Sequence, residues 1–590
     1  MKDARLGPDQ RAQALRRLAA ETFDVVVVGG GVTGAGAALD AASRGLTVAL
    51  LEARDLAIGT SSRSGKTFHG GLRYLEQLNF KLVREAAHER NLMVGRLCPH
   101  LTRPTPFLYP LSHRAWERGY VGSGVLLYDL LGGARYGMPR HRHLTKRGVL
   151  REMPAIDPNR ITGGLQYYDV IFDDARHTMN VARTAAHYGA VAGTCLKVTG
   201  MLRDGAGRVA GVRARDHETG DEVEVRGRCV INATGAWADL VQELAGEAQL
   251  EVRPAKGIHI IVPHDRIESR TGVLARTADS VLVVRPWQSR YWLIGTTDTP
   301  WEHDRADPAA NAKDVEYLLT EVSKWLRTPL TEDDVVGVYA GVRPLLSGKA
   351  AARAVSSDQA ATPAPEGRPS GADSKTTAAL TRDHAVLEGP EGLFTIVGGK
   401  YTTYRRMAED IVDAAARWMG GSTPKSVTAV TPLLGAPGWE VLRNQRGRLA
   451  AERGLEVEQV DHLLGRYGSL VGELFDLLAE RPELARPIDG APEYLEAEAV
   501  YAASHEGALH LDDVLARRTH ISIETRDRGL AAAKRVAELV GEVLGWHDTR
   551  RERELARYEA QVDADRRAQR EPDDDAAVAA RRQILADGTA

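Results

Sequence analysis

The chain has 590 residues, 43% hydrophobic and 27% charged, with a formal net charge of −3, which suits a globular protein of two or three domains. A near-neutral chain with 6% aromatic residues and no basic–aromatic interleaving lacks the field of a nucleic-acid binder, so no nucleic-acid partner is expected. The three cysteines, Cys98, Cys195 and Cys229, fit no disulfide or metal spacing and read as small buried thiols, and no apolar run reaches the roughly 18 residues of a membrane span.

Residues 1–21 read as a short amphipathic helix, with Leu15 and Leu18 on one side and arginines on the other. Arg11, Arg16 and Arg17 before Val25–Val28 mimic a signal peptide, but Glu21 and Asp24 interrupt the apolar run and glycines follow at once, so no targeting segment is expected. Val25–Val28 is a β-branched run without a polar residue, the pattern of a strand buried on both faces of a parallel sheet. Gly29, Gly31 and Gly34 follow as G-x-G-x-x-G. They suit a tight turn, a close approach of backbone to pyrophosphate, and helix–strand packing, with Gly36 a second small residue on that face. The helix stops near Gly45, and a second strand over residues 47–51 ends in Glu52, which follows Gly31 by 21 residues. That spacing places an acid on a ribose hydroxyl of an adenosine, with the pyrophosphate on the helix N-terminus. The motif alone does not separate FAD from NAD.

Residues 53–75 form a loop rich in Ser, Thr and Gly, whose hydroxyl and backbone donors suit a cofactor. Residues 76–98 read helical, and His113–Tyr128 as a loop carrying Trp116, Tyr120, Val125, Leu126, Leu127 and Tyr128. Residues 176–188 are helical. Residues 194–231 give a meander of short strands, with residues 222–225 and 229–231 as separate ones, and Asn232–Gly235 closes it with small residues where backbone can meet the cofactor again. Residues 257–299 are strand-rich. Residues 349–378 contain no aromatic residue or leucine and read as a flexible insertion. A strand at 393–397, the run Gly398–Tyr404 and a helix at 405–418 follow. From Pro424 the period becomes helical, and residues 550–570 read as a charged helix with a solvated face.

These pieces resemble the FAD-dependent glycerol-3-phosphate dehydrogenases of the aerobic, respiratory type, from about residue 22 to about residue 530 outside the insertion. The resemblance is carried by Val28-Gly-Gly-Gly-Val-Thr-Gly-Ala-Gly36, Thr60-Ser-Ser62, Phe68-His-Gly-Gly-Leu-Arg-Tyr-Leu75, Asp173-Asp-Ala-Arg176, Asn232-Ala-Thr-Gly235 and Lys256-Gly-Ile-His259. Ile294-Gly-Thr-Thr-Asp298, Gly341-Val-Arg-Pro344, Thr381-Arg-Asp383, Gly398-Gly-Lys-Tyr-Thr-Thr-Tyr404, Ser504-His-Glu506 and Asp513-Val-Leu-Ala-Arg-Arg-Thr519 continue it in the family's order. So many motifs in order are far more specific than the glycine fingerprint alone.

The resemblance implies an α/β flavoprotein with a discontinuous Rossmann-like FAD domain of the glutathione-reductase/amine-oxidase type (22–100, 160–255 and 380–420). It adds an antiparallel-sheet substrate domain (101–159 and 256–348) and a C-terminal helical domain (425–570). FAD is expected to bind non-covalently, with Glu52 on the ribose, Thr60, Ser61 and Ser62 along the pyrophosphate and flavin, and Val198 at the adenine. Thr234 and Gly235 would meet the cofactor, His69 its flavin side, and Gly399 and Thr402 the flavin end. The implied substrate is sn-glycerol 3-phosphate, with electrons passing to a membrane quinone from a cytoplasmic enzyme peripheral to the inner face of the membrane. The oligomeric state is left open, a homo-oligomer included.

A phosphate dianion needs cations, and Arg73, Arg343, Arg382 and Lys400 sit in the glycine- and aromatic-containing motifs, with Tyr74 beside Arg73. Oxidising a secondary alcohol removes a hydride from carbon and a proton from oxygen, and His259 is the expected polariser or base. Lys400 or Arg343 is the alternative for stabilising a developing alkoxide. No metal-ligand spacing, phosphate loop or nucleophile elbow is present. The rival readings are a glycerol-phosphate oxidase using oxygen, a flavin amine oxidase, and a non-catalytic flavin-binding scaffold.

Overall fold

The computed structural model describes residues 3–75, 78–113, 116–132, 137–246, 250–277, 281–346 and 384–587. The insertion at 349–378 and Arg382 lie outside these residues, as does the side chain of Arg73. The first of two large sheets has eight strands. Its centre is parallel: Thr22–Val28 lies between Glu222–Asn232 and Val48–Leu51, and Leu393–Gly398 pairs parallel with Glu222–Asn232. The helix Val32–Ser43 covers one face and packs against the helices Asp174–His187 and Tyr404–Met419. Alanines 37, 38, 41, 182, 185, 408 and 415 fill that layer, and small side chains let helix and sheet backbones approach closely. Gly36 faces the helix rather than the strand, because a Cβ there would lie 3.0 Å from the Tyr404 ring. The N-terminal helix Pro8–Ala20 packs on the other face through Ala14 and Leu18. Residues 222–225 and 229–231 are one strand, not two. Its first half pairs antiparallel with Val209–Asp216 and its second half continues into the parallel sheet.

The second sheet has ten strands and is mostly antiparallel. Val252–Pro263 runs at its centre, flanked by Gly337–Leu346 and Tyr291–Gly295, and Val281–Trp287 pairs with the latter. Residues 163–172, placed with the FAD domain from sequence, are a strand of this sheet. The strand Gly163–Phe172 pairs along its whole length with Thr102–Leu111, a partner some 60 residues away that no local pattern announces. The expected loop at 113–128 is also corrected. Trp116–Gly132 is a helix of 17 residues. Gly119, Gly122 and Gly124 interrupt its pattern in the sequence, but Val121, Val125 and Tyr128 line one face, and their burial against strands 102–111 and 163–172 outweighs the glycine penalty.

The C-terminal domain has its own apolar core, with Leu463, Leu474, Tyr501, Leu515 and Val536 among its fully buried residues. The charged helix Asp548–Ala568 is not solvated all round, since Tyr558, Val562 and Ala564 are buried. Beyond it, the helix Asp574–Asp587 returns to the second sheet. Ala577 and Val578 pack with Trp301, Val342 and Ala236. Asp574 pairs with the buried Lys256 ammonium, which also meets Asp314 at 2.5 Å, and accepts from Asn311 Nδ2 at 2.6 Å.

Candidate active site

The dinucleotide cradle forms where the parallel strands end. Gly29 has φ +109°, and a Cβ there would lie 2.7 Å from the Ala233 carbonyl oxygen. A Cβ on Gly34 would lie 1.8 Å from the Gly29 oxygen, so only glycine lets this helix start so close to the strand. The helix begins without a side-chain cap on Gly31 and without an acid in its first turn. Ser61 Oγ stands at that end and accepts from Val32 N at 2.9 Å. A helix N-terminus left free of acid and bordered by a hydroxyl fits a pyrophosphate. Glu52 closes the second strand, accepting from Gly30 N at 2.6 Å and Arg54 N at 2.9 Å, and its burial raises its pKa. Thr234 donates to Asn232 Oδ1 at 2.6 Å, which sets the turn into Gly235 beside Gly29. Ser62 lies in the turn next to Ser61, and its carbonyl accepts from Lys66 Nζ at 3.1 Å. Val198 lies in the apolar layer with Val28 and Leu51.

Between the two sheets lies a cavity of about 640 Å³. Eight of the residues picked from sequence line it: Thr60, His69, Tyr74, His259, Arg343, Gly399, Lys400 and Thr402. Thr60 donates to the Val342 carbonyl at 2.6 Å, tying the loop 60–75 to the strand that carries Arg343. The Lys400 ammonium sits 3.5 Å from the Tyr74 ring centroid. Arg343 is seated by Asp298 Oδ1 at 3.0 Å, Thr296 Oγ1 at 3.1 Å and the Thr297 carbonyl at 3.0 Å. His259 stacks on Tyr339, its cross-strand partner, with ring centroids 4.9 Å apart. Its ring covers Gly295, where a Cβ would lie 2.2 Å from His259 Cδ2. Both ring nitrogens are buried without a hydrogen-bond partner among the described residues. Burial first, then the charges of Arg285, Arg343 and Lys66, hold the His259 pKa well below the usual histidine value, so the ring is neutral.

Similarity to known proteins agrees with this geometry. Residues 24–362 match the family model of FAD dependent oxidoreductases, and residues 426–551 match the C-terminal domain of alpha-glycerophosphate oxidase. A glycerol-3-phosphate dehydrogenase of Mycobacterium leprae is 51% identical over 570 residues, covering 96% of this chain and 93% of that protein. This chain belongs to the FAD-dependent glycerol-3-phosphate dehydrogenase family. The human mitochondrial glycerol-3-phosphate dehydrogenase is 34% identical, covering 93% of this chain and 74% of its own length. The crystal structure of the Bacillus halodurans glycerol-3-phosphate dehydrogenase complexed with FAD superposes with a TM-score of 0.75 at 26% identity, covering 94% of this chain and 98% of that one.

Family motifs do not account for everything in the cavity. Arg285, Tyr339, Arg63 and Asp169 line it or border it, and none was singled out from sequence. Arg285 lies within Val-Leu-Val-Val-Arg-Pro-Trp, where a lone charge in an apolar run reads as the solvent face of a strand. Asp169 receives Arg90 Nη1 at 2.8 Å and Tyr128 Oη at 2.5 Å, while Gly70 N donates to Tyr128 Oη at 2.7 Å. This buried network holds the His69–Gly71 turn to the helix Trp116–Gly132. Folding also gathers Cys195, Glu218 and His510 from three distant segments, a cluster no local spacing showed. There His510 is ion-paired with Glu218 and Glu554, and Arg550 lies against both acids.

Proposed function

We propose that the cavity oxidises sn-glycerol 3-phosphate to dihydroxyacetone phosphate. The observation that carries this reading is the neutral, buried imidazole of His259, its ring nitrogens without a hydrogen-bond partner among the described residues, facing a cavity that also holds Arg343 and Lys400. Bound FAD supplies the acceptor for the hydride from C2. His259 takes the proton of the C2 hydroxyl, and its ring is held at the correct angle by Tyr339 and by the absence of a side chain at Gly295. Arg343 and Lys400 face the phosphate, with Tyr74 steadying the lysine and Asp298 the arginine. Glu52, Ser61 and the 31–34 turn hold the adenosine and pyrophosphate, and Gly399 and Thr402 border the flavin. A scaffold would have no use for this convergence of cations and base.

The electron acceptor in this reading is a membrane quinone. Leu78, Trp116 and Leu130 are 72%, 63% and 69% exposed, with Phe80, Tyr120 and Leu126 also exposed beside them. Leu78, Phe80, Tyr120 and Leu127 form the cavity rim. An apolar rim of this kind is costly in water and suits the acyl boundary of a bilayer, from which a lipid-soluble quinone enters. No described helix is long and apolar enough to cross a membrane; in this reading the exposed apolar rim makes a peripheral attachment at the inner face. The test is anaerobic bleaching of the flavin by glycerol 3-phosphate, then reoxidation by a soluble quinone or by air. Rapid reoxidation by quinone and slow reoxidation by air is expected; the reverse identifies an oxygen-using oxidase. In flotation with liposomes, replacing Trp116, Tyr120, Leu126 and Leu130 by serine should abolish binding. Flotation unchanged by those replacements rejects this face.

A further inference from the structure

We propose that Arg285 is a further catalytic residue: together with His259 it binds the oxygen of the hydroxyl being oxidised and stabilises the negative charge that develops there. This rests on reading the cavity as the glycerol-phosphate site.

Arg285 stands on the strand Val281–Trp287, 4% exposed, with its side chain lining the cavity. Its hydrogen bond is a long one, Nη1 to Thr67 Oγ1 at 3.3 Å, and Nε has no partner among the described residues. No described carboxylate pairs with it, and burial draws its pKa down to about 10. A buried guanidinium without a counter-charge costs several kcal/mol, a cost that an anionic or oxygen ligand in the cavity would offset.

The groups around His259 leave Arg285 as the charge that is not neutralised in place. Lys66, from the loop before Thr67–Phe68, is bound to Asp174 at 2.5 Å. Arg343, from the strand Gly337–Leu346, is bound to Asp298 at 3.0 Å. Tyr339 stacks on the ring and donates its hydroxyl to the Ser64 carbonyl at 2.8 Å, and burial keeps it protonated. Arg285 and the imidazole meet over Gly65. A Cβ at Gly65 would lie 2.7 Å from Arg285 Nη1 and 3.6 Å from His259 Nε2. The two groups are therefore close enough to share one ligand atom, and glycine at 65 leaves that space open.

The chemistry of the two groups is complementary. As the C2–H bond breaks and its electron pair leaves with the hydride, the C2–O bond gains double-bond character. The hydroxyl proton moves to the lone pair of His259 Nε2. Arg285 neither gives nor takes a proton at neutral pH. It supplies a fixed positive charge aimed at the oxygen, in a site shielded from water, where such charge is worth most. The same charge opposes protonation of His259 and so keeps the base ready.

The test compares Arg285→Met and Arg285→Gln with the parent enzyme, all loaded with FAD and checked for fold by flavin absorbance and Tm. Bleaching of the parent flavin by glycerol 3-phosphate is measured first; its absence sinks the substrate reading, not the role of Arg285. With the parent active, both variants should lose roughly 100- to 1,000-fold in kcat, with KM changed by less than about threefold. The acid limb of kcat/KM should move to higher pH, because His259 protonates more easily without its neighbour. A large rise in KM with kcat intact would make Arg285 a phosphate anchor and overturn the proposal. So would an unchanged kcat and acid limb. If Arg285→Met fails to retain FAD, the neutral but polar Arg285→Gln decides by the same readings, and the His259 ring is titrated by NMR in parent and variant; equal His259 pKa values would also overturn it.

Discussion

Arg176 and Glu506 form a two-pronged ion pair across 330 residues of sequence, with Nη1 to Oε2 at 2.8 Å and Nη2 to Oε1 at 2.5 Å. Both side chains are almost fully buried, and the guanidinium also lies 4.2 Å from the Tyr467 ring centroid. The pair joins the helix Asp174–His187 to the C-terminal domain. Its neighbours do the same. Asp173 binds His520 at 2.8 Å, and Asp55 binds Arg517 and Arg518 at 2.5 and 2.6 Å. Truncation of one partner leaves a buried charge alone, so Arg176→Ala should destabilise the protein by about 3–5 kcal/mol. Arg176→Met with Glu506→Leu should recover much of that loss. Denaturant melts of the two singles and the double measure it; additive losses would show that the pair is not coupled.

Glu52 is expected to govern FAD retention. Glu52→Ala removes the acceptor for Gly30 N and the carboxylate proposed to bind the ribose, an expected loss of about 1–3 kcal/mol. The dissociation constant for FAD should rise by a corresponding factor while the apoprotein stays folded. Equal FAD occupancy in variant and parent would take Glu52 out of the site.

Arg343→Ala should cost about 2–5 kcal/mol in kcat/KM through loss of a charge-assisted contact with phosphate. Asp298→Asn should cost less, since Thr296 and Thr297 still seat the guanidinium. Plain glycerol should be a poor substrate for the same reason. If glycerol reduced the flavin as fast as its phosphate ester, the phosphate role of Arg343 would be wrong.

His510 should make the docking of the C-terminal domain sensitive to pH. Burial pulls its pKa down, but hydrogen bonds with Cys195, Glu218 and Glu554 outweigh this and push it up to about 12. The folded protein thus holds a proton that the unfolded chain releases near pH 6.5. The resulting stability is full below that pH and declines as pH rises from 6.5 toward 12, by at most about 1.4 kcal/mol per unit. Tm should therefore fall more steeply between pH 7 and 9 in the parent than in His510→Gln. Parallel slopes would show that His510 is not the titrating group.

The cofactor cradle was legible because its information is local: Gly29, Gly31, Gly34 and Glu52 lie in one βαβ unit, and each has a steric or hydrogen-bonding reason to be there. His259, Arg343 and Lys400 were legible only through motifs, since nothing short-range says that strands 252–263 and 337–346 meet the turn after 398. Arg285 was missed because it has no motif and its strand looks apolar. The helix Trp116–Gly132 was missed because three glycines hid a period that tertiary packing restores. Residues 163–172 were grouped with the FAD domain because strand pairing at long range, here with residues 102–111, leaves no trace in either strand alone.

The contact between Lys256 and Asp574 also bears on how the molecule is made. Lys256 lies three residues before His259 on the same strand, and one of its two carboxylate partners arrives more than 300 residues later. Until that helix is made, Asp314 is the one described carboxylate on Lys256. The contacts of Asp574, Ala577 and Val578 with the second sheet form only after the helix at 574–587 has been synthesised, so a chain stalled shortly before residue 574 would lack one of the two carboxylates around Lys256 and the apolar cover over Trp301 and Val342.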